Sequence, residues 1–260
     1  MKRKRVAVKA AKEAGNYLEQ QFNKDGVNID KKDEGSFNLI TESDKESEQI
    51  IVDTIRESYP DHSIVKEESD RIGGTSGYSW YIDPIDGTTN FAQKIPHFCI
   101  SIALYKKDKP ILGLVFNPVS DEMFYADTED QQAYLNNKEI KVSTKSKLSE
   151  SIIATGFPYD RSGKLSMKNI DMMRSFLKQD VGGIRRMGAA ALDFCYLAAG
   201  RIDGYWEYNL SPWDYAAGAI ILQQAGGNIT DPGGNDYDIS QKDVVTSNDN
   251  IHSTMLEVIK

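Results

Sequence analysis

Two carboxylates stand close together where an apolar segment of the chain ends in a turn. Asp83 and Asp86 lie three residues apart in WYIDPIDGTTNF, with Pro84 between them and Gly87 directly after. Proline forces a turn there, and the residues from Gly87 onward are typical of a short helix. Free N–H groups at a helix start suit a phosphate, which the two carboxylates would repel without divalent cations. The pattern predicts cation-assisted phosphate chemistry, although a lone Asp-Gly pair is more often a helix cap.

The spacing of these two acids argues against a covalent phosphatase mechanism. Haloacid dehalogenase-type enzymes carry a nucleophilic Asp and an acid/base Asp two residues apart in a D-x-D-G-T run. Asp83 and Asp86 are three apart with Pro84 between them, which aims the side chains differently. An aspartyl-phosphate intermediate is therefore disfavoured.

Two further acidic stretches are ordinary when each is taken alone. Ser211 is followed by Pro212 and, three residues on, by Asp214, which is the pattern of a well-capped helix start. Glu67 and Glu68 stand in a polar loop, where paired glutamates are usually solvated. Neither stretch indicates a site by itself.

The three stretches in this order resemble the magnesium-dependent inositol monophosphatase family. The resemblance rests on KEE, DPIDGTTNF and PWDYAAG with AGG a short distance on, and extends through NLITESD, GFPYDR, AYLNNKEIKVS and GAAALDFCYLAAGRIDGYWE. It covers nearly the whole chain and implies an α/β fold, a layered α-β-α-β-α sandwich. Two departures are visible. The hairpin QQAYLNN lacks the glycines common there, and Ala189 replaces a hydroxyl residue of the animal enzymes, which bears on substrate identity.

The resemblance implies a metal site and a water-activating group. It assigns two Mg²⁺ ions, or three, to five ligands: Glu67, Asp83, Ile85 through its carbonyl, Asp86 and Asp214. Electrostatics agrees, because two carboxylates 4 Å apart repel by roughly 4 kcal/mol at an effective dielectric near 20. Oxygen ligands also suit Mg²⁺ better than Zn²⁺. Thr88 and Glu67 would orient and deprotonate the attacking water, and Asp44 would support Thr88. Without the family, Asp44 is equally well an exposed acid in the first turn of a helix.

The resemblance also implies how a phosphate monoester would bind. The backbone amides of Gly87 and Thr88 would hold phosphate oxygens, and Asp86 and Asp214 would contact the leaving alcohol. The polyol side would be lined by Gly188, Ala190 and Glu207. Arg185 and Arg186 are either a solvated pair or supply one substrate-facing cation, for which Arg185 is the candidate.

The elements that must position these residues follow from hydrophobic periodicity. Apolar residues every four positions from Val6 to Phe22 predict a helix ending near Asp25-Gly26, and Ser43 with Glu46 predicts a capping box for a second helix that stops at Tyr59-Pro60. Strands are predicted at 80–82, 98–104, 111–116 and 123–126, with a hairpin from Tyr134. Beyond about residue 148, strands (SIIATG, GIRRM, DGYWEY, DVVTS) alternate with helices near 164–178, near 189–199 and from Pro212. We therefore expect an N-terminal α+β half, residues 1–147, with Glu67 and DPIDGTTN, and a C-terminal α/β half, residues 148–260, with PWD, packed as one body.

Composition limits the classes of partner. The 260 residues carry 31 Lys and Arg against 39 Asp and Glu, a net charge of −8, which argues against general attraction to nucleic acid or anionic membranes. The sequence contains no run of 18 apolar residues, so no membrane span is predicted. Cys99 and Cys195 lie in apolar runs and predict neither a disulfide nor a thiolate metal site, so the reducing cytoplasm is the expected location. His62, His97 and His252 lack ligand spacing and are interpreted as surface or packing residues.

The sequence thus favours a Mg²⁺-dependent hydrolase of small phosphate monoesters, with inositol 1-phosphate as the leading substrate. Fructose 1,6-bisphosphate, NADP and 3′-phosphoadenosine 5′-phosphate are alternatives, because relatives cleave them. The resemblance further implies lithium inhibition and a homodimer. A different class of function is a non-catalytic RNA or RNA-polymerase-associated role, which some bacterial relatives have and which only the basic stretch Lys2–Arg5 supports here.

Overall fold

A computed structural model of the chain describes residues 2–24, 29–31, 39–158 and 163–259. Within these ranges the helices are α1 (Lys2–Phe22), α2 (Glu42–Ser58), α3 (Thr88–Ala92), α4 (Lys164–Lys178), α5 (Ala190–Ala198), α6 (Pro212–Gln224) and α7 (His252–Ile259). The strands are β1 (Ile29–Lys31), β2 (Leu39–Thr41), β3 (Ser63–Lys66), β4 (Tyr78–Asp86), β5 (Cys99–Lys106), β6 (Lys109–Asn117), β7 (Glu122–Asp127), β8 (Gln132–Leu135), β9 (Lys138–Ile140), β10 (Ile152–Thr155), β11 (Gly183–Arg185), β12 (Gly204–Glu207), β13 (Gly227–Thr230) and β14 (Val244–Asn248). A 3₁₀ turn spans Leu148–Glu150.

The strands form two large sheets and one small one. The larger sheet has seven strands in chain order, β3 to β9, all antiparallel neighbours except the parallel pair β3 and β4. The second sheet has the order β11-β10-β12-β14-β13, with β10 parallel to both of its neighbours. The short strands β1 and β2 pair antiparallel with each other.

The helices and the two large sheets form five layers. Helices α1 and α2 cover one face of the seven-stranded sheet, α5 and α6 lie between the two sheets, and α4 and α7 cover the outer face of the five-stranded sheet. In α1 the predicted stripe is buried at Val6, Ala10, Ala14 and Leu18. In α6 every residue from Tyr215 to Leu222 is buried, as expected for a helix with a sheet on each side. The layered α-β-α-β-α arrangement predicted from the sequence is confirmed.

The predicted helices and strands are present, with differences at their ends. Helix α1 ends at Phe22, and Asp25-Gly26 lies outside the described residues. The capping box of α2 was placed wrongly: Thr41 is the N-cap, and its partner is Asp44, which accepts the Thr41 backbone N–H at 2.7 Å. Thr41 has extended backbone angles, whereas Ser43 is already inside the helix. In NLITESD and GFPYDR, Asn38 and residues 159–161 lie outside the described part of the chain.

The proposed boundary between residues 147 and 148 falls at the start of the 3₁₀ turn. The seven-stranded sheet comes from residues before this turn and the five-stranded sheet from residues after it. Helix α6 nevertheless packs against β4, β5, β6, β7 and β8 as well as β13. The division into two halves stays a prediction, since these contacts cross it. No helix in the described ranges is both long enough and apolar enough to cross a membrane.

Candidate active site

One cavity of about 330 Å³ opens at the carboxyl ends of several strands. Strands β3, β4, β10 and β12 all end there, and helices α3, α5 and α6 begin there. The cavity is lined by nine of the predicted site residues: Glu67, Asp83, Asp86, Gly87, Thr88, Gly188, Ala190, Glu207 and Asp214. The fold therefore brings together segments that are far apart in the sequence.

An irregularity at the end of β4 directs both of its acids. The pairing of β4 with β5 shifts register between Asp83 and Asp86, as expected where Pro84 lacks the N–H that a regular ladder needs. The Asp83 carboxylate accepts the backbone N–H of Ile85 at 3.0 Å, which closes a tight turn. Both carboxylates are buried, with 2% and 8% of the residue surface exposed.

Gly87 joins β4 to α3 in a conformation that favours glycine. Its φ is +95°, and an added Cβ would lie 3.1 Å from the carbonyl oxygen of His97 and 3.3 Å from the Ala189 side chain. Glycine thus lets the chain turn sharply while the loop before α5 packs against it. The turn after β4 therefore lies directly against the loop before α5.

The Asp86 carboxylate is held by the first amides of α5. Its two oxygens accept the N–H groups of Ala190 at 3.1 Å and Ala191 at 2.7 Å, and the Cys99 thiol lies 3.6 Å away. Burial raises the pKa of Asp86 to about 7, while these amide hydrogen bonds oppose the rise. The Ala190 backbone N–H is therefore taken by Asp86, while Ala190 itself lines the cavity, and its place on the polyol side stays a prediction.

Thr88 is held from behind by Asp44. The Thr88 hydroxyl lies 3.1 Å from an Asp44 carboxylate oxygen and 3.1 Å from the carbonyl oxygen of Ile85. Asp44 is completely buried, so the alternative of an exposed first-turn acid is wrong. Burial raises the pKa of Asp44 to about 6, and hydrogen bonds from Thr41 oppose the rise. Ile85 does not line the cavity, and its role as a ligand stays a prediction.

Asp214 combines a capping role with a place in the cavity. One of its oxygens accepts the Ser211 backbone N–H at 2.7 Å in the capping box of α6. Its carboxyl group also lines the cavity, and burial, followed by the charge of Glu67, raises its pKa well above the usual range. From the sequence alone, helix capping and a chemical role are competing interpretations of Asp214, but its position is compatible with both.

Four of the five acids that line the cavity, Glu67, Asp83, Asp86 and Asp214, oppose one another electrostatically. Burial raises the pKa of Asp83 well above its ordinary value, and the charges of Glu67, Asp86 and Asp214 raise it further. Among the described residues no three His, Cys, Asp or Glu side chains form a ready-made ligand cluster. The donor set nevertheless fits a hard divalent cation, because all donors are oxygen and a cation would relieve the repulsion.

A fifth carboxylate of the cavity lining belongs to Glu207. The Tyr205 hydroxyl donates to the Glu207 carboxylate, and Gly156 packs so closely that an added Cβ would lie 2.0 Å from a Glu207 oxygen. Arg186 also lines the cavity. Arg185 does not line it and donates to the Ile184 carbonyl at 3.1 Å, so its role as the substrate-facing cation stays a prediction that the cavity lining does not support.

Several residues that shape the site had no clear signal in the sequence. Asn90 donates to the carbonyls of His97 at 2.7 Å and Met187 at 2.9 Å, which links α3 to the loop before α5. Asn169 on α4 donates to the Gly156 carbonyl at 2.6 Å. Both positions are polar residues inside predicted helices, and only their long-range partners reveal what they hold.

The histidines and cysteines have packing environments. His62 is buried between tyrosine rings and accepts the Trp80 indole N–H at 3.0 Å, and His252 is buried beside Ser247. Cys99 and Cys195 are buried free thiols. His62, His97, His252, Cys99 and Cys195 are all absent from the cavity lining, in line with the prediction for the histidines.

Comparison with known proteins gives consistent matches along the chain. Residues 2–260 match the model of the inositol monophosphatase family. The sequence is 40% identical over 254 residues to the Nus factor SuhB of Escherichia coli K12, covering 96% of this chain and 93% of that protein. The extragenic suppressor protein suhB of Bartonella henselae is similar in structure, with a TM-score of 0.93, 34% identity and coverage of 100% and 99%. The inositol monophosphatase of Anabaena (Nostoc) sp. PCC 7120 gives a TM-score of 0.86, 36% identity and coverage of 98% and 93%.

The five layers and the acidic cavity at the strand ends define the class of protein, a mixed α/β sandwich of the kind seen in inositol monophosphatase structures. The chain belongs to the inositol monophosphatase family. The resemblance found from the motifs is therefore confirmed, and phosphatase chemistry is the activity that the family suggests.

Proposed function

We propose that the chain is a Mg²⁺-dependent phosphomonoester hydrolase. The observation that carries the proposal is that Glu67, Asp83, Asp86 and Asp214 line one cavity beside Thr88. Buried carboxylates with a hydroxyl among them can bind a divalent cation and activate water. Family membership supports this chemistry.

The metal would be held by the four carboxylates together with the Ile85 carbonyl, in two sites or three. Bound Mg²⁺ would neutralise phosphate charge and lower the pKa of a water molecule in the cavity. The carboxylates of Asp86 and Asp214 accept hydrogen bonds from backbone N–H groups, which fixes their orientation before a cation binds. This orientation reduces the reorganisation that binding requires.

The water-activating group would be Thr88 with Glu67. The Thr88 hydroxyl is held by Asp44 and by the Ile85 carbonyl, to which it can donate its hydrogen. Its oxygen can then accept a hydrogen bond in the cavity. We propose that this oxygen accepts a hydrogen bond from the water and that Glu67 takes the water proton as the water oxygen bonds to phosphorus. The bond between phosphorus and the ester oxygen breaks, and the alcohol leaves with a proton taken from water. The amides of Gly87 and Thr88 would hold the phosphate oxygens.

The leading substrate of the proposal is inositol 1-phosphate. Glu207 presents a carboxylate that can accept hydroxyl hydrogen bonds, and Arg186 and Gly188 share its side of the cavity. Asp86 and Asp214 would face the leaving alcohol. Fructose 1,6-bisphosphate, NADP and 3′-phosphoadenosine 5′-phosphate remain alternatives, since the same wall can accept other polyol or ribose groups. Lithium inhibition, a homodimer and a cytoplasmic location are part of the same proposal.

The experiment is phosphate release from the four candidate esters with and without Mg²⁺. We expect Mg²⁺-dependent release, fastest with inositol 1-phosphate, and loss of activity in Asp86→Asn. The exposed helix residue Asp171 provides the matched control, because Asp171→Asn removes a carboxylate that does not line the cavity. Failure of all four esters, or an Asp86→Asn variant as active as the parent, would refute the hydrolase proposal.

A second candidate is a non-catalytic role with RNA or RNA polymerase. It is favoured by the similarity to proteins named Nus factor SuhB. The basic stretch at the start of α1 adds little support, because its cations already contact tyrosine rings of the same chain. Lys2, Arg3 and Lys4 lie 5.5, 4.6 and 3.9 Å from the ring centroids. A pull-down of RNA polymerase that is equally strong with the parent and with Asp86→Asn would support this role.

A further inference from the structure

One face of α2 contacts three separate segments of the candidate site. Asp44, Ser47 and Glu48 are spaced so that they share a helix face, and all three are buried. Asp44 is in contact with the Thr88 hydroxyl, and the Ser47 hydroxyl donates to the Pro84 carbonyl at 3.1 Å. The third residue of the face, Glu48, reaches the segment after β3.

The Glu48 carboxylate is surrounded by donors from residues 66–69. The Lys66 ammonium group lies 3.1 Å from one oxygen, and the Glu68 backbone N–H donates to the other at 2.8 Å. The Ser69 hydroxyl donates to Glu48 and also contacts Lys66. The ion pair is largely removed from water, with 11% of the Lys66 side chain and 5% of the Glu48 side chain exposed.

These contacts fall on both sides of Glu67 in the chain. Lys66 precedes it and Glu68 follows it, and both are held by the same carboxylate. We propose that Glu48 is a positioning residue that fixes Glu67 toward a divalent cation in the cavity. The inference rests on the proposed function, because it assigns Glu48 to the same metal site. Through Asp44, Ser47 and Glu48, helix α2 would then set Glu67 relative to Asp83 and Thr88.

A purely stabilising ion pair is a weaker explanation of this arrangement. A buried ion pair gives little net stability, because desolvation of both charges offsets their attraction. Here the carboxylate also takes a backbone N–H, which orders the main chain next to Glu67. Loss of Glu48 would further leave the Lys66 cation without this partner, adjacent in the chain to Glu67, where it would compete with a metal ion.

The test compares Glu48→Gln with Glu46→Gln, a matched change at an exposed position of the same helix. Mg²⁺ binding is measured by calorimetry without substrate, and amide hydrogen exchange is followed in residues 64–72. We expect Mg²⁺ affinity at least tenfold weaker in Glu48→Gln, the scale found for partners that orient metal ligands. Exchange at residues 66–69 should be faster, and KM for the ester at saturating Mg²⁺ should be unchanged. Glu46→Gln should behave as the parent.

A double-mutant cycle separates positioning from general damage. If Glu48 acts through Glu67, Glu48→Gln should cause no further loss of Mg²⁺ affinity in a Glu67→Gln background. Additive losses, or an unchanged affinity in Glu48→Gln, would overturn the inference. Should Glu48→Gln not fold, Glu48→Asp decides the same question, because it keeps the charge near Lys66 but is too short to reach both flanks. A parent protein that binds no Mg²⁺ refutes the proposed function as well, whereas equal binding by parent and variant refutes this inference alone.

Discussion

Replacing Asp86 by Asn should stabilise the metal-free protein at neutral pH while abolishing its response to Mg²⁺. Burial raises the pKa of Asp86 from 3.8 to about 7. A group whose pKa is raised on folding contributes its stability below the unfolded pKa and loses it as pH rises through the folded pKa. The difference corresponds to roughly 4 kcal/mol of destabilisation above pH 7. Asn accepts only one of the two α5 amides, which costs about 2 kcal/mol, so the net gain is about 2 kcal/mol.

The assay is urea unfolding of parent and Asp86→Asn in a metal chelator from pH 4 to pH 8. On these figures the variant should be about 2 kcal/mol less stable than the parent near pH 4. The difference should change sign as the pH rises and level off at about 2 kcal/mol in favour of the variant above pH 7. Adding Mg²⁺ at pH 7.5 should stabilise the parent by mass action and leave the variant almost unchanged. Asp171→Asn, at an exposed helix position, should follow the parent in every condition. If the variant is less stable than the parent at pH 8 without metal, the ionised Asp86 carboxylate does not destabilise the folded protein and the reasoning is refuted.

Three other outcomes follow from the same geometry. Gly156→Ala should raise KM for a polyol ester about tenfold or more without changing Mg²⁺ affinity, because the added Cβ would displace the Glu207 carboxylate. The control for both measurements is Gly73→Ala, since a Cβ added at Gly73 would meet no atom within 4 Å. Thr88→Val should lower kcat by roughly 100-fold or more, the scale of lost proton transfer, and Thr88→Ser should restore most of it; equal rates in both variants would contradict the assigned hydroxyl role. Burial lowers the pKa of His62, so its contribution to stability is present above about pH 6.5 and lost as pH falls below it. The unfolding free energy should therefore decrease below pH 6.5, and less so in His62→Gln.

The parts of the fold that were predicted correctly are those with a strong local pattern. The apolar stripe of α1 repeats over five turns, and the middle strands are long apolar runs, so local sequence specifies them. The strands β3 and β13 have four residues each and were missed, because so short a segment has no readable period. The cap of α2 was shifted by two residues, since several polar side chains there can each act as the cap.

The candidate site was predictable in composition but not in contacts. Motif order located Glu67, Asp83, Asp86 and Asp214. It did not reveal that Asp86 binds amides that lie 104 and 105 residues further along the chain. No local pattern encodes such a pairing. The choice between Arg185 and Arg186 depends on which of two successive side chains faces the cavity, and this is decided by where β11 ends. Glu48 was overlooked because an acid in a charged helix looks solvated until its fold partners are known.

The attachment of Asp86 to the first amides of α5 has a consequence for the order of events during synthesis. A nascent chain that has emerged as far as β9 already carries Glu67, Asp83 and Asp86, but nothing yet to hold the last of them. The amides that bind Asp86 are made only when α5 is synthesised, and Asp214 only with α6. Most of the chain has therefore left the ribosome before all four carboxylates can come together. Until then Glu67, Asp83 and Asp86 repel one another without the fourth carboxylate, so the complete ligand set exists only after α6 has been made.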